Sequence, residues 1–118
     1  TLRPHRRRDL LRPAGVAGIV WEDIMTIVNR RTFIAKRGHV DEAIALLKGE
    51  ESGDIVSRVY RSHYGTFDAI ALEVEIDSVE AMERGWAEWG ATAEAEQFMK
   101  RWVEITEPGG TNEVWILE

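Results

Sequence analysis

The sequence contains no cysteine, which excludes disulfide scaffolds, thiolate metal sites and cysteine nucleophiles and suits a reducing, cytoplasmic setting. It has no apolar run of the roughly 20 residues that a membrane-spanning helix needs. Histidine is scarce: His5, His39 and His63 fall on a tail, a loop and a strand end, without the spacing of a zinc or non-haem iron site. No glycine-rich phosphate loop opens a helix, and no Gly-x-Ser-x-Gly nucleophile motif occurs. No metal or other cofactor is expected. Positive charge is also in deficit, with 15 basic against 21 acidic residues and a net charge of -6. An acidic body of this kind is a poor nucleic-acid binder.

What is present suits one domain. A chain of 118 residues, 44% hydrophobic and 31% charged, is large enough for one core and leaves no room for two. Residues 1–24 stand apart: they carry five arginines against three acids, a net +2, so the remainder carries -8. Arg7-Arg8 is twin-arginine-like, but the apolar run from Ala14 to Val20 is short for a leader and acids follow it, so the segment reads as a basic extension or tail. Met25 precedes the first strand-like run. The folded domain is therefore expected over 25–118.

The most informative stretch runs from Ile55 to Asp77. Tyr64-Gly65-Thr66-Phe67 lies between two runs rich in β-branched and aromatic residues, and glycine at the first central position predicts a two-residue type II′ hairpin turn. Counting outward from it sets Tyr64 against Phe67, Ser62 against Ala69, Tyr60 against Ala71 and Arg58 against Glu73. Opposite charges directly across a ladder contribute ~0.2 to 1 kcal/mol. The alternate face carries Ile55, Ser57, Val59, Ile70, Leu72, Val74 and Ile76, a face for helices to cover.

Around this hairpin the order is strand, helix, strand, strand, broken helix, strand. Thr26 to Lys36 reads as a strand with apolar residues on both parities, so its inward face stays open. Val40, Ala43, Ile44 and Leu47 recur at helical spacing, with Asp41 and Glu42 in the first turn and Lys48-Gly49 at the end. Asp77 or Ser78 caps a second helix, with Glu80 completing a capping box after Asp77. Its apolar stripe is Val79, Met82, Trp86 and Trp89. Gly90-Ala91-Thr92 interrupts it, and Ala95, Phe98, Trp102 and Ile105 continue beyond. Pro108-Gly109-Gly110 ends the helical part, and Val114 to Leu117 form a short last strand. This is the α+β, ferredoxin-like βαββαβ plan, an antiparallel sheet with its helices on one face. The other face has nothing in the chain to cover it, so a second copy is the economical cover.

With Arg58, the Tyr64-Gly65-Thr66-Phe67-Asp68 turn, Glu73, the tryptophan-containing helix from Ser78 and the ending Glu107-Pro108-Gly109-Gly110 before Glu113-Val114-Trp115, the stretch from Met25 to Glu118 resembles the dimeric α+β barrel superfamily, nearest its NIPSNAP-like members. The resemblance implies a homodimer whose two sheets face each other around a cavity. Members include antibiotic-biosynthesis-type monooxygenases and haem-degrading enzymes. Asn29 is similar to the asparagine that lies in their active cavity beside a tryptophan of the second helix, a place for Trp86 or Trp89. The haem-degrading pattern also wants a helical histidine, which the helix from Ser78 to Ile105 lacks.

The expectation is thus a cytoplasmic homodimer that contacts neither nucleic acid nor membrane and binds a small organic molecule, aromatic or carboxylated, at the open sheet face. Tyr60, Tyr64, Phe67 and Trp86 are the candidate ligand-binding residues. Asn29, Arg58 and Glu73 are the candidate catalytic residues, Glu73 as a base if desolvation raises its pKa. Each has a plainer reading: Arg58 and Glu73 as a structural ion pair, the tyrosines as an aromatic interface, Trp86 and Trp89 as core. The enzyme reading is a cofactor-independent monooxygenase. A third is a non-catalytic interaction protein with a filled barrel.

Overall fold

A computed structural model describes residues 25–50 and 55–118. The basic extension over 1–24 lies outside the described residues. Seven elements follow in order: β1 (Thr26–Ala35), α1 (Val40–Gly49), β2 (Val56–Arg61), β3 (Ala69–Ile76), α2 (Val79–Gly90), α3 (Ala93–Ile105) and β4 (Thr106–Leu117). The strands form one antiparallel sheet in the order β2-β3-β1-β4. The sheet is open, and the helices cover one face. This is the expected ferredoxin-like α+β plan. No described helix is long and apolar enough to cross a membrane.

The two halves of the broken helix are joined through one hydroxyl. Thr92 Oγ1 accepts from Ala95 N at 3.1 Å and donates to the Trp89 carbonyl at 2.7 Å, so it closes α2 and opens α3 at once. Ser78 caps α2 by accepting from Ala81 N at 3.0 Å. The residue three beyond that cap is Ala81, so the box expected from Asp77 and Glu80 does not form. On the outer surface Arg101 of α3 grips Glu42 of α1 with two of its nitrogens.

Strand β1 turns Asn29, Arg31, Phe33 and Ala35 toward the helices, which settles its inward face. Ala35 joins Ala43, Leu47, Ile70, Trp102 and Ile105 in the buried core. The hairpin face expected to be covered is covered: Val59 and Leu72 pack against that core. An aromatic series runs through it, from Phe33 edge-on to Trp102 at 5.0 Å, to Phe98 stacked at 5.1 Å, to Trp89 at 5.4 Å and to Trp86 at 6.2 Å. Ring contacts of this kind contribute ~0.5 to 1.5 kcal/mol each beyond their burial.

Two expectations are corrected. The register of the central hairpin is as counted, Arg58 opposite Glu73 and Tyr60 opposite Ala71, but its turn is not two residues long. Ladder pairing stops at Arg61 opposite Ile70, and 62–68 form a loop, because Asp68 adopts a left-handed φ of 62° and its carbonyl accepts from Ala35 N of β1 at 2.9 Å. Asp68 is thereby held by the neighbouring strand rather than by β2. The last strand is also longer than Val114 to Leu117. Its pairing with β1 resumes on both sides of Pro108-Gly109-Gly110: Thr111 lies opposite Thr32 and Glu107 opposite Ile34, which is a bulge of two extra residues.

Gly110 is required there. Its φ is +95°, and a Cβ would meet the Thr32 carbonyl oxygen at 2.1 Å. Gly38 has a similar φ of +90° and open space around it. In urea denaturation Gly38→Ala should cost about 1 to 2 kcal/mol, the left-handed strain alone. Gly110→Ala should cost ~3 kcal/mol or more. Equal losses would mean that the bulge adjusts around the added methyl.

Candidate functional site

The residues singled out in the sequence fall into three places. Arg58, Tyr60 and Glu73 meet on the open face. Asn29 and Trp86 meet on the helix side. Tyr64 and Phe67, 91% and 80% exposed, stand on the 62–68 loop and line neither face, because the chain leaves the ladder before it reaches them. The expected single pocket of these residues is therefore not one site, and the reason is alternation: neighbouring residues of a strand point to opposite sides.

On the open face Glu73 is buried, yet its principal partner is not Arg58. Arg30, opposite it on β1, donates from Nε at 2.7 Å and again from Nη2 to the same oxygen. Tyr60 Oη donates to the other oxygen at 2.9 Å. Arg58 stands 3.6 Å from Glu73 but gives its short hydrogen bond, 2.6 Å, to Glu75. Burial pushes the Glu73 carboxyl up, but the hydrogen bonds from Arg30 and Tyr60 and the charges of Arg30 and Arg58 outweigh it and hold it below the usual carboxylate value. The raised value that would make Glu73 a general base is therefore not what this arrangement produces: a carboxylate hydrogen-bonded by three donors is a weak proton acceptor. Tyr60 is raised, by burial first and then by its bond to Glu73.

On the helix side Asn29, 1% exposed, uses all four of its hydrogen-bonding positions. Its Nδ2 donates to Asn112 Oδ1 at 2.7 Å and to the Glu113 carbonyl at 2.9 Å. Its Oδ1 accepts from Trp86 Nε1 at 3.0 Å and from Arg31 Nε at 3.2 Å. The asparagine and the tryptophan that the resemblance placed together are thus joined directly, and Trp86 rather than Trp89 takes the place. Trp89 Nε1 donates to Glu50 at 2.8 Å. With no hydrogen-bonding position left over, Asn29 holds Trp86 and Arg31 in place.

Beside this clamp lies a partly enclosed cavity of about 590 Å³ between the sheet and the helices. Met82, Trp86, Trp89, Phe98 and Trp102 form its helix wall, and Leu72, Val74 and Ile76 its sheet wall. Arg31 enters it with its guanidinium 4.1 Å from the centre of the Trp86 ring. Sequence reasoning singled out neither the cavity nor Arg31. The signal available was the helical stripe of tryptophans, larger than a sheet face of small and medium side chains can fill. Among the described residues no three histidine, aspartate or glutamate side chains gather as a metal site.

The two arginines around Glu73 can be separated by double-mutant cycles on Arg30→Gln, Arg58→Gln and Glu73→Gln. The Arg30–Glu73 coupling should be ~1 to 2 kcal/mol and the Arg58–Glu73 coupling ~0.5 kcal/mol or less. Because the folded Glu73 value is lowered, its contribution is present above the unfolded value near ~4.3 and is lost as pH falls through the folded one. Glu73→Gln should lack that part of the acid-induced loss of stability, measured by urea denaturation from neutral pH downward. An unchanged acid limb would mean that Glu73 is not held by these donors in solution.

No protein-family model matches the chain, and no curated protein matches it. Its fold is similar to solved structures. An uncharacterized NIPSNAP domain protein from Burkholderia xenovorans superposes with a TM-score of 0.67 at 18% identity, over 78% of this chain and 94% of that one. A NIPSNAP family protein from Agrobacterium tumefaciens gives 0.67 at 15% identity, over 79% and 86%. A second from that organism, described as of unknown function, gives 0.67 at 16%, over 78% and 87%. At such identities the likeness is one of fold: this chain has the ferredoxin-like α+β architecture of solved NIPSNAP-domain structures.

Proposed function

We propose that this chain binds a small aromatic or otherwise apolar organic molecule in the cavity between its sheet and its helices, and that a second copy covers its open face. The observation that carries the first part is the cavity itself. Its volume of about 590 Å³ falls in the range of ~300 to 1,000 Å³ typical of small-molecule sites, as does an apolar, aromatic lining with few polar groups. A volume of this size favours a binding protein over one whose interior is filled and whose role is interaction alone. The site proposed here lies on the opposite side of the sheet from the open-face cavity that the sequence suggested. In this reading Asn29 positions Trp86 and Arg31 and does not touch the ligand.

The second part draws on the open face, where Tyr60 and Trp115 are 44% and 54% exposed around the Arg30–Glu73–Arg58 network. Aromatic groups with arginine are the composition that interface cores favour. Covering that face removes the rings from water and leaves the helix-side cavity of each copy intact.

Cinnamamide, a neutral aromatic, should raise the thermal midpoint, with ~2.7 kcal/mol of stabilisation at about 100 times its dissociation constant. Met82→Trp, which fills the cavity, should abolish the effect while the variant remains folded by circular dichroism. An unaltered response in Met82→Trp would move the site elsewhere. Sedimentation should give a dimer, and Trp115→Glu should shift it toward monomer with unchanged secondary structure. A wild-type monomer at all accessible concentrations would remove the second copy.

A further inference from the structure

We propose that Arg31 is the anion-recognising group of this cavity and that the ligand is a monocarboxylate with an aromatic or apolar body. The inference rests on the cavity being a binding site and names what it selects.

Arg31 differs from every other arginine among the described residues. Arg30, Arg37, Arg58, Arg61, Arg84 and Arg101 each stand within 4.0 Å of an aspartate or glutamate. Arg31 forms no ion pair among those residues. It is half-buried, and that burial lowers its guanidinium from the usual value. A guanidinium has five N–H donors. One, on Nε, is given to Asn29, and one face lies over Trp86. The Asn29 bond and the Trp86 ring fix its orientation in advance of any ligand, and a fixed planar fork is the geometry that a carboxylate meets with two parallel hydrogen bonds.

The surroundings define the rest of the molecule. Arg31 lines the large apolar cavity on one side and a shallow hollow of about 280 Å³, walled by Gly109, Gly110 and Thr111, on the other. A carboxylate at Arg31 therefore keeps an edge toward water while its body enters the aromatic cavity. Glu50 and Glu88 also line that cavity, Glu50 beside Trp89. They oppose a second negative charge on the body, which makes a monocarboxylate the better fit than a dicarboxylate.

The test is calorimetry on the full chain with cinnamate and cinnamamide, which share size and shape and differ in charge. Cinnamate should bind roughly tenfold tighter or more, the worth of a hydrogen bond to a charged group. Arg31→Gln should remove the difference, so that cinnamate binds no tighter than cinnamamide does to the same variant. Equal binding of both by the wild-type protein would overturn the role of Arg31 and leave the cavity standing. Binding of neither would overturn both. The wild-type comparison decides the matter even if Arg31→Gln does not fold. para-Carboxycinnamate should bind more weakly than cinnamate, and tighter binding would overturn the restriction to one carboxylate.

Discussion

In β1 three consecutive polar residues, Asn29, Arg30 and Arg31, must point alternately to the two sides of one sheet. That alternation, a property of the extended backbone and not of any side chain, divides the protein into two chemical environments. Arg30 faces out and gathers Glu73 and Tyr60 into an ionic network. Asn29 and Arg31 face in, toward the tryptophans. A shift of β1 by one residue would exchange the two sets, burying Arg30 against the aromatic wall and stranding Asn29 among charges. The pairing of β1 with β3 on one side and β4 on the other holds the register from both edges.

The inward set has a definite order of dependence. The Asn29 amide is held by Asn112 and by the backbone of Glu113 on β4, and its oxygen in turn holds Trp86 and Arg31. From Trp86 the aromatic series passes through Trp89, Phe98 and Trp102 to Phe33, back on β1. The helix layer is therefore tied to the sheet at one end by hydrogen bonds and at the other by ring packing. The cavity lies between these two attachments, and Thr92, at the junction of α2 and α3, is part of its lining. Aromatic rings form most of its helix wall, and the aliphatic side chains Leu72, Val74 and Ile76 its sheet wall.

Much of this was legible in the sequence, and the exceptions share a cause. The element order, the hairpin register and the cap at Thr92 depend on local spacing, and local spacing is what a sequence displays. The 62–68 loop is not legible in local spacing, because Asp68 is held by Ala35, a contact across the sheet that no local rule supplies. The sequence leaves the inward face of β1 open because Ile27, Val28, Phe33 and Ile34 place apolar groups on both parities, and without that face nothing assigns Arg31 to the interior. Asn29 and Trp86 were brought together by resemblance, whereas their bond and the saturation of Asn29 needed the geometry. The hairpin count places Arg58 opposite Glu73, but Arg30, on the other side of β3, is invisible from the hairpin alone.

The bulge in β4 carries a rule of parity. It inserts two residues, an even number, so the strand beyond it keeps the same facing as the strand before it. Loss of one residue from Pro108-Gly109-Gly110 would rotate everything from Thr111 to Leu117 by half a turn, sending Trp115 toward the helices and Val114 and Ile116 to the opposite side. It would also take Asn112 away from Asn29. Loss of two would only straighten the ladder. The edge of this sheet can thus change in length by twos, and each odd step dismantles the polar clamp beside the cavity.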